Sequence, residues 1–182
     1  MSANISTQHA AQDRAFELMS EHLPHAVADL FAGYELAVWS AAPHASRTLE
    51  REVAASIGFT GSGVRGALLL KASETSIACW LQALGMPGGD PVDTLSEFSN
   101  MLLGRLKSRL LREGLPITLA TPTATMGSGL RFSVPPPKSV SLAFDGADWS
   151  VTVRVDASFE ADFVIDASAA EDAAEAGECI LF

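Results

Sequence analysis

The spacing of apolar residues predicts three helices before residue 114. Apolar side chains recur at helical spacing from 10 to 31, where Pro24 predicts a kink or a break. A second helix is predicted over 73–85, with Ser73 as its N-cap. A third is predicted over 91–113, because an aspartate that can cap a helix is followed there by a proline at the first helical position.

Short runs rich in β-branched and aromatic residues predict strands between and after these helices. Residues 52–72 are interpreted as two strands around a glycine-rich turn. The other predicted strands are 34–39, 116–123, 129–134, 139–144, 149–156 and 161–166.

The chain length and the distribution of charge predict one domain and a tail. The chain has 182 residues, of which 48% are apolar, and this is enough for a single domain with a substantial core. Eight acids and no base lie from residue 156 onward, whereas the first 155 residues carry fourteen acids and twelve bases. We therefore predict one domain over 1–166 and an acidic, alanine-rich, mobile tail over 167–182.

Composition also excludes several classes of protein. The sequence has no apolar run of about 18 residues, which a membrane span needs, and its first residues lack the pattern of a signal peptide. Cys79 and Cys179 are too few for a disulfide framework and do not form a CxxC pair. We therefore expect a reduced, cytoplasmic protein. An acidic chain repels nucleic-acid phosphates and anionic lipid, so neither nucleic acid nor membrane is a predicted partner.

Two local motifs are better explained by structure than by chemistry. The stretch GSGVRG (61–66) matches GxGxxG, but a dinucleotide site needs a helix directly after it, and a strand-like sequence follows instead. This motif therefore predicts a hairpin turn. His22 and His25 have metal-ligand spacing, but no third ligand completes a site and Pro24 lies between them. We predict surface or packed histidines and no metal.

The third predicted helix has two faces of different character. Glu97, Asn100 and Gly104 fall within about 60° of one another on a helical projection, with Met101 and Lys107 beside them. We call these five residues the outward stripe. The opposite face is apolar and consists of Leu95, Phe98, Leu102, Leu106 and Leu110.

The simplest interpretation of the outward stripe is that its polar residues only face water. Gly104 argues against it, because a glycine inside a helix costs about 1 kcal/mol relative to alanine and an exposed position gives no packing reason for one. A glycine there would let another surface approach the helix backbone. The outward stripe therefore predicts a docking face.

Three stretches resemble the CheX branch of the CheC/CheX/FliY family of chemotaxis phosphatases. SEFSNMLLGRLKSRL contains the family's E-x-x-N on a helix, followed by its N-M-x-x-G run. EGLPITLATPTATMG resembles the strand and Pro-Thr segment that follow the motif. SIGFTGSGVRGALLLKASETSIACWLQALGM is similar to the glycine-rich hairpin and helix that precede it. Together these stretches cover about residues 57–127.

The resemblance implies a fold, an activity and roles for the residues of the outward stripe. The implied fold is α+β, CheC/CheX-like, with long helices packed against an antiparallel sheet. The implied activity is hydrolysis of the aspartyl phosphate on a CheY-like response regulator. Asn100 would orient the attacking water and Glu97 would grip a lysine of the regulator, while Gly104, Met101 and Lys107 would border the docked partner. No cofactor is implied in this chain, because the regulator would hold any Mg²⁺. Family members commonly pair as homodimers through a sheet edge, and this chain could do the same.

A second interpretation stays open. On the same fold, the chain could be a non-catalytic binding or scaffold module in two-component or flagellar signalling. Such relatives generally lack the Glu–Asn pair, which this chain keeps, so the pair favours the phosphatase. A second copy of the motif is not expected on the first helix, because Ser20 and Pro24 stand where an asparagine would follow Glu17 or Glu21.

Overall fold

The fold is an antiparallel sheet covered on one face by helices, which confirms the predicted α+β class. The computed structural model of the chain describes residues 2–42, 50–131, 138–166 and 168–169, with side chains from residue 9 onward. Its helices are α1 (Ser2–Ala32), α2 (Glu74–Ala83) and α3 (Pro91–Arg112). Its strands are β1 (Trp39–Ala41), β2 (Arg51–Gly61), β3 (Val64–Ser73), β4 (Ile117–Leu119), β5 (Thr123–Ser128), β6 (Lys138–Asp145) and β7 (Ser150–Phe159).

The sheet is built on long central strands. Its order is β1-β6-β7-β3-β2-β4, and β5 also pairs with β2. All pairings are antiparallel. Alternate residues of β7, namely Val151, Val153 and Val155, are buried, as expected when one face of a strand packs against the core.

An aromatic cluster joins the helices to the sheet. Phe31 of α1 lies 4.6 Å from Trp149 and 5.4 Å from Trp80 of α2, measured between ring centroids. Trp80 in turn stacks on Phe98 of α3 at 5.2 Å. Because these large rings are buried together, they fix the position of α3 relative to α1 and α2.

The glycine-rich stretch 61–66 is a β-hairpin, as predicted. Gly63 has φ +67°, and β3 begins immediately after the turn. Gly66 lies opposite Phe59, and a side chain at Gly66 would collide with the Phe59 ring. A strand therefore stands where a dinucleotide site would need a helix.

Of the kink or break predicted at Pro24, the break is wrong, because α1 continues through the proline as one helix. The proline removes one backbone hydrogen bond and can cost about 3 kcal/mol. On both sides of it, however, Leu23, Val27 and Leu30 are completely buried. Burial of several such side chains, each contributing about 1.5–3 kcal/mol, outweighs that cost.

Two predicted strands, 34–39 and 161–166, are loops except at Trp39, where β1 begins. Residues 34–38 are not a strand, because α1 ends in a turn in which Glu35 has φ +59° and the N–H of Leu36 donates to Phe31 O at 3.0 Å. Residues 161–166 form a turn and a loop. Their apolar residue Phe163 is buried against Phe159, so its hydrophobicity is satisfied by packing rather than by strand pairing.

Two further predicted strands are interrupted. Residues 116–123 divide between β4 and β5, with Pro122 in the gap, where a proline cannot donate to a sheet ladder. In the predicted strand 129–134, Gly129 has φ +64° and the N–H of Leu130 donates to the Glu52 carboxylate, so the described part leaves the sheet. Residues 132–134 lie outside the described residues. The predicted strands 139–144 and 149–156 are confirmed within β6 and β7, apart from the first residue of the latter.

Two other expectations concern the C-terminal tail and membrane-spanning helices. Apart from 168 and 169, the predicted tail lies outside the described residues, so its mobility stays a prediction. Among the helices that the structure describes, none is both long enough and apolar enough to cross a membrane.

Candidate functional site

Helix α3 carries the outward stripe, and its first turn is firmly capped. The Asp90 carboxylate accepts hydrogen bonds from the N–H groups of Val92 at 2.7 Å and Asp93 at 3.1 Å. Pro91 follows at the first helical position, which confirms the predicted start of the helix. The last helical residue is Arg112, one residue before the predicted end. Such a cap typically stabilises a helix by about 1 kcal/mol and fixes where its first turn begins.

The two faces of α3 lie as the sequence predicts. The five predicted core residues, Leu95, Phe98, Leu102, Leu106 and Leu110, are all buried. Glu97 and Asn100 are exposed on the opposite side, one helical turn apart. Within the part of the chain that the structure describes, neither side chain forms a hydrogen bond or an ion pair. Both groups are therefore free to bind another molecule.

Gly104 is half-exposed in the next turn of the same stripe. A Cβ added there would meet no atom within 4 Å other than the helix's own backbone and its chain neighbours. By contrast, the hairpin residue Gly66 has no room for a side chain. Packing within the described chain therefore does not account for the glycine on α3, and the surface above it is open.

Met101 borders the outward stripe and is held from beneath by Tyr34. The Tyr34 hydroxyl donates to the Met101 sulfur at 3.2 Å, and the Tyr34 ring stacks on Phe98 at 5.3 Å. Sequence reasoning missed this support because it assigned Tyr34 to a strand. The preceding Gly33 was the available signal, since glycine commonly follows the end of a helix.

The second half of α3 carries most of the charge near the stripe. Lys107 and Arg112 are exposed and Arg105 is half-exposed, and none of the three has an ion pair with a described carboxylate. Arg109 differs because it is bonded to Asp29 of α1. The outward stripe thus carries one free carboxylate, on Glu97, and one free cation, on Lys107, and two further free cations, Arg105 and Arg112, lie on the same helix.

The two predicted histidines do not form a metal site with other described residues. The His22 Nε2 lies 3.3 Å from the Glu113 carboxylate, and His25 is exposed. No group of three or more His, Cys, Asp or Glu side chains among the described residues is arranged to hold a metal ion.

The shape of the site limits its chemistry. The outward stripe lies on the convex surface of a helix, which cannot enclose a small substrate in the way a pocket does. A surface cavity lined by Gly58, Arg65 and Thr118 lies over β2, β3 and β4, and no residue of α3 lines it. The carboxylate and the amide can therefore act on a group carried by another macromolecule, with Glu97 binding a cation and Asn100 both donating and accepting hydrogen bonds.

Comparison with known protein families finds a match to one of them. The family model for the chemotaxis phosphatase CheX matches residues 53–145, just over half of the chain. No curated protein sequence matches the chain significantly.

Solved structures of chemotaxis proteins share the fold. The CheX protein of Vibrio vulnificus is 22% identical, with a TM-score of 0.66 over 78% of this chain and 97% of that chain. The CheX protein of Desulfovibrio desulfuricans is 19% identical, with a TM-score of 0.65 over 77% of this chain and 99% of that chain. A structure of the CheX–CheY–BeF₃–Mg²⁺ complex from Borrelia burgdorferi is 14% identical, with a TM-score of 0.53 over 78% of this chain and 96% of that chain.

Proposed function

The chain belongs to the CheX family of chemotaxis phosphatases, and we propose that it hydrolyses the aspartyl phosphate of a CheY-like response regulator. The observation that carries this proposal is the exposure of Glu97 and Asn100, one turn apart and without partners among the described residues. A helix that projects a free carboxylate and a free amide can insert both into a recessed pocket on another protein.

Asn100 is proposed to position the water that attacks phosphorus. In an acyl phosphate the aspartyl oxygen departs as a carboxylate, which is a good leaving group, and water can attack phosphorus directly, so this chain needs no nucleophile of its own. Water adds to phosphorus while the bond between phosphorus and the aspartyl oxygen breaks. The aspartate is released as its carboxylate, and inorganic phosphate takes up the oxygen and the protons of the water. The Asn100 amide can accept a hydrogen bond from this water and donate one to a phosphoryl oxygen. Such positioning is most of what phosphoryl transfer requires.

Glu97 is proposed to fix the angle at which the helix inserts. One turn from Asn100, its carboxylate can pair with a lysine in the regulator's phosphorylated pocket. A charge-assisted pair of this kind becomes stronger when docking excludes water from it. No cofactor is proposed in this chain, because Mg²⁺ is expected on the regulator, where it offsets phosphate charge.

The remaining residues of the stripe are proposed to border the docked regulator. Gly104 leaves the helix backbone open to close approach, and Met101 offers an adaptable apolar contact beside it. Lys107 is an exposed cation on the other flank and would attract the acidic surroundings of a phosphorylated aspartate.

The choice of partner is supported by the complex from Borrelia burgdorferi. In that structure a CheX protein is bound to CheY together with BeF₃ and Mg²⁺. That protein resembles this chain in fold, so the CheY-like partner is carried over here as a proposal. The proposed roles of Glu97 and Asn100 rest on the geometry of these two residues in this chain.

The proposal is tested with a ³²P-labelled response regulator from the same genome. Wild type should accelerate loss of the label, and Asn100→Ala should return the rate to that of the regulator alone. Glu97→Ala should lower the rate and also weaken binding. Glu17→Ala on α1 is the matched control, because Glu17 is an exposed helical glutamate that is paired with Arg14, and it should behave as wild type.

The scaffold alternative predicts a different result. A non-catalytic module would bind the regulator but leave the decay of its label unchanged for wild type and both variants. If this holds for every available regulator, the phosphatase proposal is wrong.

A further inference from the structure

The second half of α3 has cations that the described chain leaves unpaired. Arg105, Lys107 and Arg112 lie within eight residues, and none has a carboxylate partner among the described side chains. Most bases elsewhere on the described surface are paired, as Arg14 is with Glu21 and Lys138 is with Asp13. The free cations are thus concentrated on one helix.

These cations border an uncharged line along the helix. At 100° per residue, Ser108 and Leu111 fall within about 40° of Gly104. Lys107 lies on one side of this line, while Arg105 and Arg112 lie on the other. We call the line and its three cations the cationic trough. It is an unpartnered helix face, and its charge fits an acidic, extended peptide.

The chain itself carries such a peptide next to the trough. The N–H of Asp166 donates to Gly114 O at 2.9 Å, just beyond the end of α3. The Asp166 carboxylate also accepts the N–H of Ser168 at 3.0 Å and the Ser168 hydroxyl at 2.6 Å. These bonds hold the chain at the end of α3 before residue 170. The segment 170–182 then carries four acids and no base, and the acids are Glu171, Asp172, Glu175 and Glu178.

The segment is long enough to cover the site. At about 3.3 Å per residue, a chain of the length of 170–182 could span at most about 43 Å. The distance along α3 from Gly114 back to Asn100 is about 21 Å, at about 1.5 Å per residue. The segment can therefore follow the cationic trough and reach both Asn100 and Glu97.

We propose that the acidic segment 170–182 docks in cis along the cationic trough and covers Glu97 and Asn100. Its tethering gives it an effective concentration on the order of millimolar, so even a few weak ion pairs can hold it there part of the time. The docked segment competes with the regulator, and this consequence rests on the proposed function. The docking itself does not depend on it. Salt weakens the docking because the ion pairs are exposed.

Docking is tested without any partner by zero-length carbodiimide crosslinking of the full chain. The Lys107 amine should become linked to one of the four carboxylates of the segment, within one chain, and mass spectrometry identifies the joined peptides. The matched control is Lys71, whose amine lies 2.9 Å from the Glu52 carboxylate and should link there and not to the segment. High salt should reduce the Lys107 link. If Lys107 forms no link to the segment, or Lys71 links to it equally well, docking in the trough is wrong.

Competition is tested by neutralising the segment. Glu171→Gln/Glu175→Gln/Glu178→Gln should speed dephosphorylation at low salt on the order of fivefold, and the gain should shrink at high salt. The matched control Asp148→Asn/Glu160→Gln/Asp162→Asn removes the same charge from exposed acids elsewhere and should not change the rate. An unchanged or slower rate in the segment variant overturns the competition. If no form of the chain acts on any regulator, the proposed function fails, and the crosslink still decides the docking.

Discussion

The two long helices cover the same sheet, but their outward faces are built differently. On α1 the exposed charges are satisfied within the molecule, since Arg14 lies 3.5 Å from Glu17 and 3.6 Å from Glu21. On α3 the exposed Glu97 and Asn100 have no partner among the described residues. The difference lies in the arrangement of charge, because each of the two helices buries an apolar face.

This difference is the one expected between a solvated surface and a surface that binds a partner. Exposed ion pairs such as those of α1 stabilise a protein by less than about 1 kcal/mol, but they leave no group free to bind. The outward stripe on α3 lacks the small stabilisation that such ion pairs give, and Gly104 lowers the stability of the helix further. Neither choice helps the isolated chain, and this supports the proposal that α3 contacts another molecule.

A second copy of the motif on α1 is excluded by the same comparison. Ser20 follows Glu17 by three residues, but its hydroxyl donates to Phe16 O at 2.9 Å. Pro24 follows Glu21 by three residues and has no amide to offer. Helix α1 therefore keeps a structural role, and the candidate chemistry lies on α3 alone among the described helices.

The largest effect expected outside the Glu–Asn pair comes from closing the space above Gly104. Gly104→Leu should raise the KM for the phosphorylated regulator about tenfold, equivalent to about 1.4 kcal/mol of lost binding, because the side chain blocks close approach. The free energy of unfolding should rise by up to about 0.8 kcal/mol, because leucine favours a helix more than glycine does. Dephosphorylation kinetics and urea unfolding measure the two effects.

The matched control for this change is Ala28→Leu, at a small exposed position on α1. It should alter neither the KM nor the free energy of unfolding appreciably. An unchanged KM for Gly104→Leu would remove the evidence that a partner approaches α3 closely.

A smaller effect is expected from Pro24→Ala in α1. The change restores a helical N–H and removes a ring that clashes with the preceding turn, which is worth up to about 3 kcal/mol. The ring is half-buried, so lost packing offsets part of the gain, and we expect a net stabilisation of about 1 kcal/mol. Urea unfolding measures it, with the dephosphorylation rate unchanged. A destabilised variant would show that α1 is adapted to the proline.

The smallest effect concerns the pH dependence of the Asp13–Lys138 pair, which ties α1 to the sheet. The hydrogen bond from Lys138, followed by its positive charge, lowers the pKa of Asp13 below its usual value of 3.8. A lowered pKa means that the pair stabilises the fold above pH 3.8 and that this contribution is lost as the pH falls through the lowered value.

Asp13→Asn should therefore lower the melting temperature slightly at neutral pH and not at all once Asp13 is protonated in wild type. Thermal unfolding of both proteins across this pH range measures the difference. The control is Lys138→Met, in which the effect of Asp13→Asn should vanish. A difference that persists in that background would come from a cause other than the pair.

Much of α3 could be predicted from the sequence because its signals are local. The cap at Asp90, the proline after it and the spacing of leucines all lie within the helix itself, so its start, its buried face and its outward stripe could be read together. The same holds for the hairpin at Gly63.

What the sequence could not give depends on contacts between distant residues. The support of Met101 by Tyr34 joins positions 67 residues apart, and no local pattern encodes it. Residues 161–166 have the apolar content of a strand, yet they form a turn and a loop, in which the N–H of Asp166 donates to Gly114 O, 52 residues away in the sequence. The order of strands in the sheet is non-local for the same reason.

Gly114, which lies just after α3, limits which substitutions the chain can accept at that position. Gly114 has φ +74°, and a side chain there would collide with the backbone of Asp166. One residue therefore sets both the point at which the helix stops and how closely the backbone of Asp166 can approach it. A single substitution at this position would displace the backbone at Asp166 while leaving Asp166 itself unaltered.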